Sequence, residues 1–206
     1  MTRPTVIVTG LIGSGKSAVC ALLRERGIPV YDCDSRTKGL YDRRPGLVLK
    51  LEEALETRLR DSGGKLDRAR LAGLIFQDPA ARETLEAIVY PEVLHDFKRW
   101  RSRQKGAPWV VLESAVILSK PLFDGLAAAV VLVEAPESVR LKRVLRRDHT
   151  SEEAVRARMA AQFIPSEAVD VRIANTGSAE ELIQAVDRVF FEKNSYICKL
   201  LNKRIK

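Results

Sequence analysis

Long apolar runs are missing from this 206-residue chain: 46% of its residues are hydrophobic, but no run approaches the length of a membrane span. Cysteine is scarce as well. The three cysteines are odd in number and lack metal-ligand spacing, and the two histidines are isolated. These absences argue against a membrane protein, a disulfide scaffold and a zinc site. They favour reduced thiols in a cytoplasmic globular protein with one α/β domain and insertions.

Acidic residues are fewer than basic ones, 27 against 35, which gives a net charge of +8. The basic excess is concentrated in three segments, residues 98–105, 140–147 and 193–206. A positive surface of this kind is typical of nucleic-acid binding, but it equally suits a polyanionic small substrate. Because the chain also carries a glycine-rich loop of the nucleotide-binding type, we favour the small polyanion and expect no nucleic-acid partner.

That loop runs from Gly10 to Ser17 and reads G-L-I-G-S-G-K-S. It follows the apolar run 5–8 and precedes residues 19–23, which have helical spacing, so the order is strand, loop and helix. Glycines let backbone N–H groups approach a polyphosphate, and the helix N-terminus adds its dipole. Lys16 is predicted to reach the β and γ phosphates, and Ser17 to bind Mg²⁺. The predicted nucleotide-binding residues are Ile12, Gly13, Ser14, Gly15, Lys16, Ser17 and Ala18.

The remaining pattern predicts an α/β fold in which short strands alternate with helices. We expect a five-stranded parallel sheet with helices on both faces, the fold of P-loop kinases. The predicted strands are 5–8, 28–31, 109–113, 128–133 and 171–173; the predicted helices are 16–26, 47–59, 67–76, 79–89, 91–105, 136–147, 151–162 and one from about 179. The predicted organisation is a nucleotide-binding core of residues 1–34, 107–146 and 168–193, a helical substrate-binding insertion 35–106, a lid 147–167 and a basic tail 194–206.

Three acidic residues end strands at the edge where ligands of open α/β sheets bind. Asp32 and Asp34 follow the second strand, and Glu113 closes the third. A kinase acting on an alcohol needs a carboxylate base and help in holding Mg²⁺, and this pair can supply both. Glu113 is a further candidate for the metal site. The alternatives are that the two aspartates cap a helix or face solvent, and that Glu113 bonds to neighbouring backbone.

Arg140, Arg143 and Arg147 recur at spacings of three and four, so they share one helix face. We expect Arg143 and Arg147 to contact phosphates, and Arg140 to be structural. The alternative is a solvated basic helix. The tail 194–206 mixes apolar and basic residues; we expect it to fray or to pack on its own domain rather than to bind a membrane.

Taken together, these residues resemble the dephospho-coenzyme A kinase family over nearly the whole chain up to Phe191. The loop Gly10–Ser17 is common to P-loop proteins in general. The lid pattern with the downstream Gln162 and Asn175 is more specific to this family. The matching segments are Val30–Asp34, similar to the family's V-I-D-A-D, Lys65–Arg68 with Leu71 and 75–76, Arg143–Asp148, Ser151–Ala154, Arg158–Gln162, and Val169–Asn175, similar to A-D-x-V-I-x-N.

The resemblance implies ATP- and Mg²⁺-dependent phosphorylation of the ribose 3′-hydroxyl of dephospho-coenzyme A by a monomer or weak homo-oligomer. By analogy, Asp34 is the base, and Lys16, Arg143 and Arg147 hold phosphates. Arg68 and Asp34 are implied to bind the acceptor, Asn175 and Gly177 to lie near adenine, and Ser17, Asp32 and Glu113 to form the metal site. The chain departs from the family at Tyr90, where His is usual, and at 114–119, which lacks the usual proline and final glutamate.

Other functions remain open at this stage. One is a different small-molecule hydroxyl kinase of shikimate type, which also has D-x-D after its second strand. Another is a nucleotide-gated binder of nucleic acid or protein whose basic patches form the working surface. A third is a P-loop protein that binds ATP without catalysing a reaction. A GTP-specific protein and a motor-type ATPase are disfavoured, because N-K-x-D and an apolar run ending in Asp are absent.

Overall fold

A computed structural model describes residues 3–199 of the chain. Its centre is a parallel sheet with the strand order β2-β3-β1-β4-β5. The strands are β1 Thr5–Thr9, β2 Val30–Asp32, β3 Val110–Glu113, β4 Ala129–Glu134 and β5 Val171–Ala174. The predicted five-stranded parallel sheet is therefore confirmed, and the carboxyl ends of β1, β2 and β3 share one edge.

The helices cover much of the chain between the strands. Their bounds are α1 Lys16–Glu25, α2 Cys33–Arg43, α3 Pro45–Ala54, α4 Arg68–Gln77, α5 Pro79–Ser102, α6 Glu137–Asp148, α7 Glu152–Ala160 and α8 Ala179–Phe190. Residues 117–119, 121–123 and 166–168 form short 3₁₀ turns.

The core lies on the face of the sheet that α1 and α8 cover. Val6 and Val8 of β1 are fully buried there against Leu23 of α1 and Val186 of α8. Side chains alternate along a strand, so Ile7 is directed to the opposite face, where it is also buried. Burial on both faces explains why the strands read as continuous apolar runs rather than as alternating patterns.

The chain divides into two compact units, residues up to 32 together with those from 101 onward, and residues 33–100. The second unit is helical and contains a charged group in its interior: Asp96 of α5 is 4% exposed. Arg36 of α2 donates to the Asp96 carboxylate from Nε at 3.1 Å and from a terminal nitrogen at 2.8 Å. A buried carboxylate requires such a partner, because an unpaired charge is costly away from water.

Two local predictions in this unit are wrong. Helix α2 was not predicted, because its sequence begins with Cys, Asp and Ser, which are weak helix formers. Helix α5 was predicted to break before Pro91, but it runs unbroken through that residue. Most other predicted element ends shift by one or two residues. The helix predicted over 47–59 corresponds to α3, which begins at Pro45 and ends at Ala54.

The segment after α8 packs against the core unit. Ile197 is fully buried in the main hydrophobic cluster, next to the stacked rings of Trp109 and Phe190. The Tyr196 hydroxyl donates to Asp170 at 2.9 Å, and Asp170 in turn accepts from the Val130 N–H. The start of the predicted basic tail therefore packs on its own domain; residues 200–206 of that tail lie outside the described residues. None of the described helices is long and apolar enough to cross a membrane.

Replacing Ile197 tests this packing. Because its side chain has no exposed surface, Ile197→Ala is expected to lower the free energy of unfolding by about 2–5 kcal/mol, as expected for a truncation that leaves a cavity. Chemical denaturation measures the change. Ile183→Ala removes the same atoms from a side chain on α8 that is 37% exposed, and it should cost far less. Equal losses in the two variants would contradict the packing described here.

Candidate active site

The loop between β1 and α1 has the backbone shape of a phosphate cradle. Gly13 and Gly15 have φ angles of 79° and 96°, a region that side chains with a Cβ rarely adopt. A Cβ on Gly13 would lie 2.6 Å from the Arg140 carbonyl oxygen, and one on Gly15 would overlap the Asn175 amide. The glycines are therefore needed both for the turn and for the close approach of two other elements.

Helix α1 begins immediately after this turn, at Lys16, with Gly15 as its N-cap and without a side-chain cap. The first intrahelical bonds run from Ala18 N and Val19 N to the Gly15 carbonyl, so the N–H groups of Lys16 and Ser17 have no acceptor within the helix. Such N–H groups and the positive end of the helix dipole favour an anion. The loop thus fits the polyphosphate of a nucleotide, with Lys16 adding a positive charge at its rim.

Oxygen atoms suited to a magnesium ion are found beside the first turn of α1. Ser17 Oγ donates to Glu113 Oε1 at 2.5 Å, and Glu113 itself is 4% exposed. Asp32 stands opposite Glu113 in the register of β2 and β3. Hydroxyl and carboxylate oxygens are the donors that Mg²⁺ prefers, usually with waters and phosphate oxygens completing the shell. The donor chemistry of these three predicted metal residues therefore suits the ion, with one hydroxyl and two carboxylates. Residues 3–199 contain no metal-binding cluster made of three or more His, Cys, Asp or Glu side chains alone.

Arg140 and Arg143 of α6 both point toward the phosphate loop. Arg140 donates to the carbonyls of Ala135 at 3.1 Å and Ile12 at 3.4 Å, as its predicted structural role requires. Arg143 donates to the carbonyls of Gly13 and Ser14 at 3.5 and 3.4 Å. Its guanidinium group therefore lies at the cradle, where it could also contact a bound phosphate.

Arg147 has a different environment at the end of α6. Its guanidinium donates to both carboxylate oxygens of Asp148, at 2.6 and 3.1 Å, and its side chain is 61% exposed. Arg158 of α7 donates to the same carboxylate at 2.8 Å. These two arginines hold the pKa of Asp148 at about 2, well below its usual value. Arg147 would have to leave Asp148 to reach a phosphate, so its predicted role stays a prediction.

Two polar side chains hold the loop backbone, and their contacts were not predicted from the sequence. Asn175, at the end of β5, donates from its amide nitrogen to the Ser14 carbonyl at 2.8 Å and is 7% exposed. It was expected near adenine, whereas the contact described here is with the loop. Gln162, which follows α7, accepts from the Ile12 N–H at 2.7 Å. Sequence reasoning included Gln162 only as part of the lid pattern.

A cavity of about 620 Å³ opens beside the segment that follows β5, between residues 172–178 and one side of α8. Gly177, the other residue expected near adenine, lies on its wall. The next residue, Ser178, forms a capping box with Glu181: each side chain bonds to the backbone N–H of the other. The segment is therefore fixed in shape where it borders the cavity.

The remaining predicted site residues belong to the unit of residues 33–100. Asp34 is exposed and is the second residue of α2. Arg68, at the start of α4, donates to Asp42 at 2.9 Å and to the Lys38 carbonyl at 3.2 Å. Burial, with the nearby charges of Glu86 and Asp34 among the further causes, raises the pKa of Tyr90, the residue at the position where the family usually has His.

Comparison with known proteins gives a consistent result. Residues 5–181 match the family model described as dephospho-CoA kinase. The curated dephospho-CoA kinase of Porphyromonas gingivalis is 41% identical over 77% of each chain, and that of Thermus thermophilus is 39% identical over 92% of each. A crystal structure titled TT1252 from Thermus thermophilus is similar with a TM-score of 0.77 and 37% identity, covering 91% of this chain and 96% of that one.

Proposed function

The chain belongs to the dephospho-CoA kinase family, and from that membership we propose that it transfers the γ-phosphoryl group of ATP to the ribose 3′-hydroxyl of dephospho-CoA, giving ADP and CoA. The observation that carries the proposal is the coincidence of this family match with a cradle that only glycines can form, at Gly13 and Gly15. We expect the enzyme to act in the cytoplasm as a monomer or weak homo-oligomer.

The phosphate loop provides the first part of the chemistry. Backbone N–H groups at the start of α1 and the Lys16 ammonium group are proposed to bind the β and γ phosphates and neutralise their charge. Arg143 already contacts the loop carbonyls of Gly13 and Ser14, so a small movement of its guanidinium group would bring it to a phosphate oxygen. When the nucleotide binds, the Arg147 guanidinium is proposed to leave the Asp148 carboxylate and to donate to a phosphate oxygen instead.

Ser17, Asp32 and Glu113 are proposed to hold Mg²⁺. The short bond between Ser17 and Glu113 and the register position of Asp32 support this assignment. A magnesium ion at this position supplies positive charge to the transferred phosphoryl group.

Asp34 is proposed as the base that accepts the proton of the acceptor hydroxyl. It lies two residues after the end of β2, on the first turn of α2, and its carboxylate is exposed to solvent and hence to an incoming substrate. Arg68 is proposed to contribute positive charge for the phosphates of dephospho-CoA, since its side chain is half exposed.

A direct assay tests the reaction. Purified protein with ATP and Mg²⁺ is expected to release ADP when dephospho-CoA is added, and ADP release should be weak or absent with shikimate and other acceptor alcohols. A substrate-independent release of ADP, or a preference for another alcohol, would contradict the proposal. The acceptor panel also separates this function from that of another small-molecule hydroxyl kinase.

A further inference from the structure

Ile12 of the phosphate loop is surrounded by α6, by α7 of the proposed lid and by the residues directly after α7. Its side chain is buried in a small hydrophobic cluster with Val144 of α6 and Val155 and Met159 of α7. Its carbonyl accepts from Arg140 at 3.4 Å, and its N–H donates to Gln162 at 2.7 Å. The side chain, the carbonyl and the N–H of Ile12 therefore each contact α6, α7 or the residues directly after α7.

The hydrogen bond between the Ile12 N–H and Gln162 can break without disturbing the hydrophobic core. Gln162 follows the end of α7 and is itself half-buried. A cavity of about 300 Å³ separates the segment after α7 from the loop and β4, with Leu11 and Ser14 on one side and Phe163 and Ile164 on the other. Close packing therefore does not fix the segment there, and the hydrogen bond to Ile12 forms a direct polar link between the segment and the loop.

The hydrogen bond from Ile12 to Gln162 acts on the peptide that directly precedes the glycine turn. Ile12 directly precedes Gly13, the first of the two residues with positive φ, so a rotation of the Ile12 peptide changes the direction of the N–H groups that follow. Without an acceptor, the partly buried Ile12 N–H would lose its hydrogen bond, and an unsatisfied buried N–H is destabilising. The loop would reduce that loss by moving toward water and leaving its phosphate-binding shape.

We propose that Gln162 is a positioning residue for catalysis: it accepts the Ile12 N–H, holds the phosphate loop in its binding shape, and links the position of the lid to that of the loop. The inference rests on the proposed kinase function for its meaning, but the hydrogen bond and its effect on nucleotide affinity can be measured without turnover.

Three variants test the proposal. Gln162→Met keeps the length of the side chain and removes the acceptor, whereas Gln162→Glu keeps an acceptor oxygen. Gln77→Met makes the same chemical change on the exposed last residue of α4 and serves as the control for amide exchange and ATP-analogue affinity. Hydrogen exchange of the Ile12 amide is followed by nuclear magnetic resonance, and calorimetry gives the Kd values of a non-hydrolysable ATP analogue and of dephospho-CoA. Thermal unfolding reports whether each variant is folded.

In Gln162→Met the Ile12 amide is expected to exchange at least about tenfold faster, and the Kd of the ATP analogue to rise about tenfold, with the Kd of dephospho-CoA unchanged. Gln162→Glu should keep the amide protected, and Gln77→Met should match the original protein in amide protection and in ATP-analogue affinity. Unchanged protection in Gln162→Met, faster exchange without a change in ATP-analogue affinity, or loss of affinity for both ligands together with a lower Tm would each overturn the proposal. Failure of the kinase assay with the original protein would instead contradict the proposed function.

Discussion

Replacing Asp34 by Asn is expected to lower kcat by about 10²–10⁴-fold, the range that a positioned general base contributes, while the affinity for ATP stays within about twofold. The carboxylate is lost but the size of the side chain and an oxygen acceptor remain. Steady-state kinetics with saturating dephospho-CoA measures kcat, and calorimetry with an ATP analogue measures the affinity.

The substitution by Asn also separates this role from a structural one. Asp34 lies in the first turn of α2, where the interaction of an acidic side chain with the helix dipole stabilises an exposed helix by at most about 1 kcal/mol. The variant should therefore remain folded. Asp124→Asn, at an exposed position after a 3₁₀ turn, is the matched control and should keep full activity. Near-normal turnover of Asp34→Asn would remove Asp34 as the base and favour a role in starting the helix.

Gly15→Ala is expected to lower the affinity for ATP at least about 100-fold. The added Cβ would overlap the Asn175 amide, which donates to the Ser14 carbonyl, and would lie 3.8 Å from the Arg143 guanidinium. The residue would also have to keep a φ of 96° or leave the left-handed region. Either response moves N–H groups at the start of α1 away from the phosphates. Titration with a fluorescent ATP analogue measures the loss.

Gly27→Ala provides the control for backbone strain alone. Gly27 also has a positive φ, 78°, but a Cβ there would meet no atom within 4 Å. This variant should lose about 1–2 kcal/mol of stability and keep its affinity for ATP. If Gly15→Ala bound ATP as well as Gly27→Ala does, the close approach of Asn175 to the loop would not matter for binding.

The sheet and the phosphate loop could be predicted because their signals are local. Strands buried on both faces read as continuous apolar runs, as in residues 129–133, and the glycine spacing of the loop has few structural explanations. The rule that the carboxyl ends of parallel strands share an edge predicted Glu113 at the edge where the phosphate loop lies. The contact between them, at 2.5 Å, was not specified by any pattern.

Helix α5 could not be predicted through Pro91 because the deciding interactions are not local. Proline removes one backbone bond and costs about 3 kcal/mol inside a helix. Here Leu85, Val89, Val93 and Phe97 recur at intervals of four and are all buried, so a continuous helix keeps one apolar face packed. Pro91 itself is exposed, which leaves the freed carbonyl group access to water.

The roles of Gln162 and Asn175 at the loop were missed for a related reason. Each forms its bond with a residue about 150 or more positions away, from Gln162 to Ile12 and from Asn175 to Ser14. A single amide side chain in a polar segment has no periodicity that indicates its partner. The resemblance to the family indicated that these two positions matter, because both belong to its lid pattern. It did not indicate which residues they contact.

The product of the reaction tests the kinase function most directly. After incubation with ATP, Mg²⁺ and dephospho-CoA, phosphorus-31 resonance should show a new phosphomonoester on the ribose 3′-oxygen, with one ADP formed for each CoA. A phosphate on any other oxygen, or ADP formed while dephospho-CoA stays unchanged, would contradict the account.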